Sequence, residues 1–278
     1  MVRRAIATSV KRLFDNEAGA LAGREAEAVH QARVAVRRLR SHLRTFRPLV
    51  DRDWSAPLRQ ELAWLGTELG AVRDLDVFFA RLRSDAQRAG GAADPNVKAV
   101  FANVRADRAR ARARLSSAMR SDRYRQLRDA LERAARSPRL TLAARMTARE
   151  ALIPIVRKAW KRLRSAVRGL APRQSVPALH RVRILAKRCR YAAESAIPLE
   201  PKRAEAFAQA AALVQDALGE FNDAEQACRA LRRLRKKPGL ALAANALLAL
   251  ESESTARARS MWPSAWRALD DKRLRTWL

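Results

Sequence analysis

The chain has 278 residues, 48% of them apolar, and 58 Lys and Arg against 28 Asp and Glu give a formal net charge of +30. That apolar share excludes a disordered basic tail and supports a large core, while the Arg-dominated excess makes a polyanion the expected partner: nucleic acid, polyphosphate or an anionic surface. Cys189 and Cys228 have no C-x-x-C companion, Arg3-Arg4 precedes no sustained apolar region, and Asn245 interrupts the longest apolar run, Leu240 to Leu250. On these features no disulfide framework, secretion signal or bilayer span is expected, and the cytoplasm is the expected location.

In chain order, a short basic helix is expected from Val2 to Phe14, then a loop around Gly19 and Gly23. The stretch Val29 to Leu49 follows and contains no acidic residue. At about 100° per residue, His30, Arg33, Arg37, Arg40 and Arg44 fall within about 80° of one another. Ala32, Ala35, Val36, Leu39, Leu43 and Phe46 form the roughly opposed face, so this reads as a helix with a core side and a cationic side, ended by Pro48. Trp54 to Leu69 is expected as the next helix, and Gly70 marks a break or a tight packing point before Arg73-Asp74-Leu75-Asp76. Gly90-Gly91 supplies a loop, and Asp94-Pro95 a helix start with Asp as N-cap. The helix from Pro95 to Ala118 places Arg105, Arg108 and Arg112 on one side, with only Asp107 against its basic residues. A helix from Asp122 to Arg136 closes the first half, and Ser137-Pro138 is read as the boundary.

The second half opens with a helix from Thr141 to Arg168, on which Arg157, Lys161 and Arg164 stack. From Ala151 to Ala193 there are twelve basic residues and no acidic one, so something outside the chain should compensate the charge. Further helices are expected from Pro201, from Asn222, from Pro238, and from Pro263 to Trp277. No segment alternates with a period of two, so no strand is expected.

The basic helix recurs as Leu179 to Tyr191. At an offset of 150, His30 aligns with His180, Arg33 with Arg183, Arg37 with Lys187, Arg38 with Arg188 and Arg40 with Arg190. Leu69-Gly70-x-x-Arg73-Asp74 similarly recurs as Leu218-Gly219-x-x-Asn222-Asp223, so the chain carries an internal duplication. Phosphate-binding glycine loops, G-x-S-x-G and a catalytic triad are absent, and neither histidine has a Cys or carboxylate at metal-ligand spacing. His42 reads as a packing residue. Asp74, Asp76 and Asp223 could suggest magnesium or acid-base work, but read better as helix caps or as partners of Arg on the basic helices. Few aromatic residues accompany the basic faces, which turns the expected polyanion away from stacked bases and toward bare phosphate.

H-x-x-R-x-x-x-(R/K)-R-x-R in two copies, each followed by L-G-x-x-(R/N)-D, resembles the CHAD domain family (conserved histidine α-helical domain) over about residues 3 to 278. The resemblance implies an all-α fold: two four-helix-bundle-like halves, residues 1–137 and 138–278, related by pseudo-two-fold symmetry around a central basic groove. It also implies binding of inorganic polyphosphate and a place at polyphosphate or polyester storage granules. Many relatives carry a triphosphate tunnel domain with an E-x-E-x-K strand. Glu251-Ser252-Glu253-Ser254-Thr255 lacks the Lys in a helical context, so that enzymatic partner is not expected here. The resulting expectation is a noncatalytic polyphosphate-binding module with neither metal nor cofactor. Arg33, Arg37, Arg40 and Arg44 would form one wall and Arg183, Lys187 and Arg190 the other. Arg105, Arg108, Arg112, Arg157, Lys161 and Arg164 would extend the site, and His30 and His180 would donate to phosphate oxygens. The alternative is a nonspecific nucleic-acid-binding or granule-coat protein using the same faces, with nucleic acid otherwise a weaker competitor.

Overall fold

In a computed structural model describing residues 1–22 and 26–278, the chain is all-α. Among the described residues there are ten α-helices and two short 3-10 turns, and the one β contact is an isolated antiparallel bridge between Val50 and Leu140. The chain divides into two compact units, Met1–Arg145 and Met146–Leu278.

The first unit contains α1 (Val2–Asp15), α2 (Glu17–Ala22), α3 (Ala26–Thr45), α4 (Arg52–Arg88), α5 (Pro95–Arg120), α6 (Asp122–Arg136) and a 3-10 turn (Leu142–Arg145). The loop expected around Gly19 is instead α2, and Gly23 lies outside the described residues. On α3, Val29, Ala32, Ala35, Val36, Leu39 and Leu43 are buried as the periodicity requires. They meet an α4 face built on Leu58, Leu62, Leu65 and Leu69. Each fully buried Leu contributes roughly 1.5–3 kcal/mol, enough for this row to keep α4 helical through two glycines that each cost about 0.8–1.0 kcal/mol relative to Ala. Accordingly α4 starts at its Asp51 cap, whose carboxylate accepts the Trp54 N–H at 2.7 Å, and runs through Gly70 to Arg88. Gly70 is therefore a packing point within one helix. Asp94 caps α5 as expected, accepting the Asn96 N–H at 2.6 Å. The strip from Ser137 to Arg145 stays with this unit: the Asp51 N–H donates to the Arg139 carbonyl, and the Thr141 hydroxyl to that of Pro48.

The second unit contains α7 (Ala148–Arg168), α8 (Val176–Ala196), α9 (Pro201–Leu234), α10 (Ala241–Leu269) and a 3-10 turn (Lys272–Arg275). Thr147 and Glu150 form a reciprocal capping box, so α7 begins at Ala148 and the expected start at Thr141 is too early. No helix begins at Asn222. Buried Val214, Leu218, Phe221 and Ala224 run α9 unbroken past Gly219. Pro263 likewise sits inside α10, and the separate terminal helix expected from Pro263 to Trp277 reduces to the end of α10 and the 3-10 turn. Glu251 to Thr255 lie within α10, with Glu251 buried. Trp160 of α7 stacks on Trp266 at 5.5 Å and meets Phe207 edge-on at 5.8 Å, tying α7, α9 and α10 together. Cys189 and Cys228 are buried free thiols, and burial pushes the Cys189 pKa up. No described helix is long and apolar enough to cross a membrane.

Candidate functional site

In the first unit the cationic face of α3 lies along α4, and two of its guanidiniums lie over glycines of α4. A Cβ built on Gly70 would stand 3.8 Å from Arg33 Nη2, and one on Gly66 would stand 3.5 Å from Arg40 Nη1. Arg33 also pairs with Asp74 through Nη1 and Oδ1 at 2.9 Å, with 31% and 51% of the two side chains exposed. A pair so open to water is worth about 0–1 kcal/mol, so Asp74 orients Arg33 without withdrawing its charge. His30, Arg37 and exposed Arg44 continue the face above and below.

Two residues of α4 join this seam that the α3 periodicity does not reveal. Burial lowers the His30 pKa from its ordinary value, and Arg73 lowers it further; Glu27 opposes this, and Arg37 and Arg33 add to it. Burial and then Arg59 lower the Arg40 pKa, while Arg59 is itself lowered by burial and by Arg44 and Arg47. Two groups thus form across α3 and α4: Arg33, Arg37 and Arg73 around His30, and Arg40, Arg44 and Arg47 around Arg59. Arg59, Gly66, Gly70 and Arg73 recur at intervals of seven, four and three, which places them on one side of α4. That spacing was the available sequence signal. His42 stacks on Phe46 at 5.8 Å between ring centres, the packing role expected for it.

The second unit repeats the arrangement on α8 and α9. A Cβ on Gly219 would stand 3.6 Å from Arg183 Nε, reproducing the approach of Arg33 to Gly70. His180 Nδ1 lies 3.0 Å from Asn222 Oδ1, with Asn222 at the position of Arg73. Arg190 donates from Nε to Glu194 at 2.7 Å. Lys187 lies one turn beyond Arg183 on α8 and is half-buried.

The remaining expected site residues lie elsewhere. Arg108 donates from Nε and Nη2 to Asp76 Oδ1 at 2.9 and 2.6 Å, and Arg112 Nη2 reaches the same oxygen at 3.3 Å. Arg105 and Arg108 also cover the Phe79 ring at 5.5 and 4.8 Å. This side of α5 is therefore clasped against α4 by a buried carboxylate and an aromatic ring. In the second unit Arg157 and Lys161 line a cleft of about 1240 Å³ between α7 and α8 that also includes His180, Arg181 and Arg188. Arg164 instead approaches Asp270 at 3.4 Å. Helix geometry explains the split: Arg181 and Arg188 turn toward α7 and Arg183 toward Gly219 on α9, while His180 borders the cleft with its Nδ1 directed to Asn222 on α9. Among the described residues, no group of three or more His, Cys, Asp or Glu side chains is placed to hold a metal ion.

The sequence model of the CHAD domain matches residues 4–232. Among solved structures, PptA from Streptomyces chartreusis matches with a TM-score of 0.79 at 25% identity, covering 96% of this chain and 98% of that one. The CHAD domain from the plant Ricinus communis matches with a TM-score of 0.77 at 27% identity, covering 96% of this chain and 89% of that one. No curated protein matches.

Proposed function

This chain belongs to the CHAD domain family, and from that premise we propose that it binds inorganic polyphosphate on the α3–α4 and α8–α9 seams without transforming it. The observation that carries the reading is the α3–α4 seam, where Arg40, Arg44, Arg47 and Arg59 lie close enough to disfavour one another's charge and Arg33 lies over Gly70. Such an arrangement is stabilised by an external polyanion, and the forked guanidinium suits phosphate oxygens. The residues named along the two seams include no Phe, Tyr or Trp to stack a base, which favours a bare phosphate chain over nucleic acid. In this reading His30 and His180 donate to phosphate oxygens at the start of each seam. Binding of this kind would take the chain to intracellular storage granules, with duplex nucleic acid as a weaker competitor.

The test is titration of the purified protein with long-chain polyphosphate, and with duplex DNA as competitor, at one ionic strength. Charge-assisted contacts are worth roughly 1.5–3 kcal/mol each, so Arg33→Ala with Arg183→Ala should cost at least about a hundredfold in affinity. Replacement of the exposed pair Arg83 and Arg114 by Ala removes the same formal charge and should cost far less. Equal losses from the two double variants would mean that net charge alone governs binding and would end the seam assignment.

A further inference from the structure

The two repeats share one scaffold but not one charge distribution, and this difference carries an inference that rests on the polyphosphate reading. With the helix offset of 150 on the basic helices and 149 on the glycine helices, each position of one seam has a counterpart in the other. Arg44 corresponds to Glu194, Arg47 to Ile197, Arg59 to Ala208, Gly66 to Gln215 and Arg73 to Asn222. The consequences are visible locally. Where Gly66 lets Arg40 lie 3.5 Å from a would-be Cβ on α4, Gln215 carries a side chain, and the counterpart Arg190 turns to Glu194 at 2.7 Å. Where His30 stands beside the cation Arg73, His180 is hydrogen-bonded to the neutral Asn222 at 3.0 Å.

We infer that the α3–α4 seam is the high-affinity phosphate subsite and the α8–α9 seam a weak one, with Arg44 and Arg73 as the residues that set the difference. At matched positions the first seam carries Arg33, Arg40, Arg44, Arg59 and Arg73, and the second carries Arg183, Arg190, Glu194, Ala208 and Asn222. Arg190 shows the local effect. Burial disfavours its charge, but the hydrogen bond and charge of Glu194 outweigh burial and raise its pKa, aided by Tyr191 and Asp216. A phosphate arriving there must displace or share that partner. At Arg40 the strongest charged neighbour is another guanidinium, which an arriving phosphate relieves. Sequence repetition alone suggests two equal sites; the counterpart residues make them unequal.

The experiment is calorimetric titration of the full chain with inorganic tripolyphosphate, short enough to occupy one seam, at fixed ionic strength. Wild type should show one strong site and one weaker by at least about tenfold. Arg44→Glu with Arg73→Asn gives α3–α4 the residues of α8–α9 and should weaken the strong site by about a hundredfold or more, given roughly 1.5–3 kcal/mol for each charged contact. Glu194→Arg with Asn222→Arg should bring the weak site to within about threefold of the strong one. The net-charge control, Arg114→Glu with Arg120→Gln, changes charge as much as the first variant and should shift the strong site less than about threefold. Arg44 is exposed, so Arg44→Glu alone keeps the test decisive if the double variant does not fold. Two equal wild-type sites, or a first variant no weaker than the control, overturns the inference while leaving polyphosphate binding intact. A wild type that binds neither tripolyphosphate nor long-chain polyphosphate overturns both.

Discussion

Asp76→Asn tests whether Arg108 and Arg112 serve the fold or a ligand. Asp76 is 4% exposed, and Arg108 and Arg112 are 22% and 30% exposed, all three meeting at a single carboxylate oxygen. Replacing the carboxylate with an amide of the same shape leaves two partly buried guanidiniums with a neutral acceptor. Breaking a buried pair costs about 3–5 kcal/mol, and because water still reaches both Arg side chains the lower end applies, about 3 kcal/mol. That is a factor of roughly 150 in the folding equilibrium, at 1.36 kcal/mol per decade. At about 2–4 °C per kcal/mol for a unit of this size, the first unit should unfold roughly 6–12 °C earlier. Far-UV circular dichroism and calorimetry read this directly, because α4 and α5 make up much of the unit. Removing all three charges, as Asp76→Asn with Arg108→Met and Arg112→Met, should recover most of the loss, since well-packed apolar groups can replace a buried ion cluster at little net cost. A loss below about 1 kcal/mol for the single variant, or a triple variant no more stable than the single one, would refute the assignment of these arginines to the fold.

Other outcomes follow from the same geometry. Because burial and neighbouring guanidiniums lower the His30 pKa in the free protein, a bound phosphate that neutralises Arg73, Arg37 and Arg33 should raise it. Binding then takes up a proton and strengthens as pH falls; titrations between about pH 8 and pH 5 should show it, and an unchanged pH response in His30→Gln would remove His30 from the site. The same depressed pKa has a stability consequence of opposite sense: above about 6.5 it costs nothing, and as pH falls through that value the unfolded chain takes the proton first. His30→Gln should therefore lessen the acid loss of stability in denaturant melts. Gly70→Ala places its Cβ at ordinary contact distance from Arg33 and should be neutral or stabilising by up to about 1 kcal/mol from helix propensity. Gly70→Leu should displace Arg33 and weaken polyphosphate binding with little change in helix content; affinity equal to wild type would deny Arg33 its place.

How much of this was legible in the sequence varies with the kind of contact that decides it. The core face of α3, Val29 through Leu43, follows from a period of 3.6 residues, because apolar burial needs only that a face exist. The all-helical fold, the Asp94 cap and the duplicated His30 and His180 helices are local patterns of the same kind. Element ends were less accessible: α9 and α10 pass through Gly219 and Pro263 because buried neighbours on each helix outweigh the weak local propensity of one residue.

What the charged faces do was decided only in three dimensions. Periodicity puts Arg105, Arg108 and Arg112 on one side of α5, but Asp76, which holds two of them, is more than thirty positions away in the chain. Arg164 in the same way turns to Asp270, and Arg157 and Lys161 line the α7–α8 cleft instead of the Gly219 seam. Arg59 and Arg73 join the α3 cations because α4 brings its glycine side against that face. A helical pattern states which residues share a side. Whether a guanidinium there is neutralised by a carboxylate or repelled by another cation depends on Coulomb interactions that fall off with distance in space, and only the packing of the helices sets that distance.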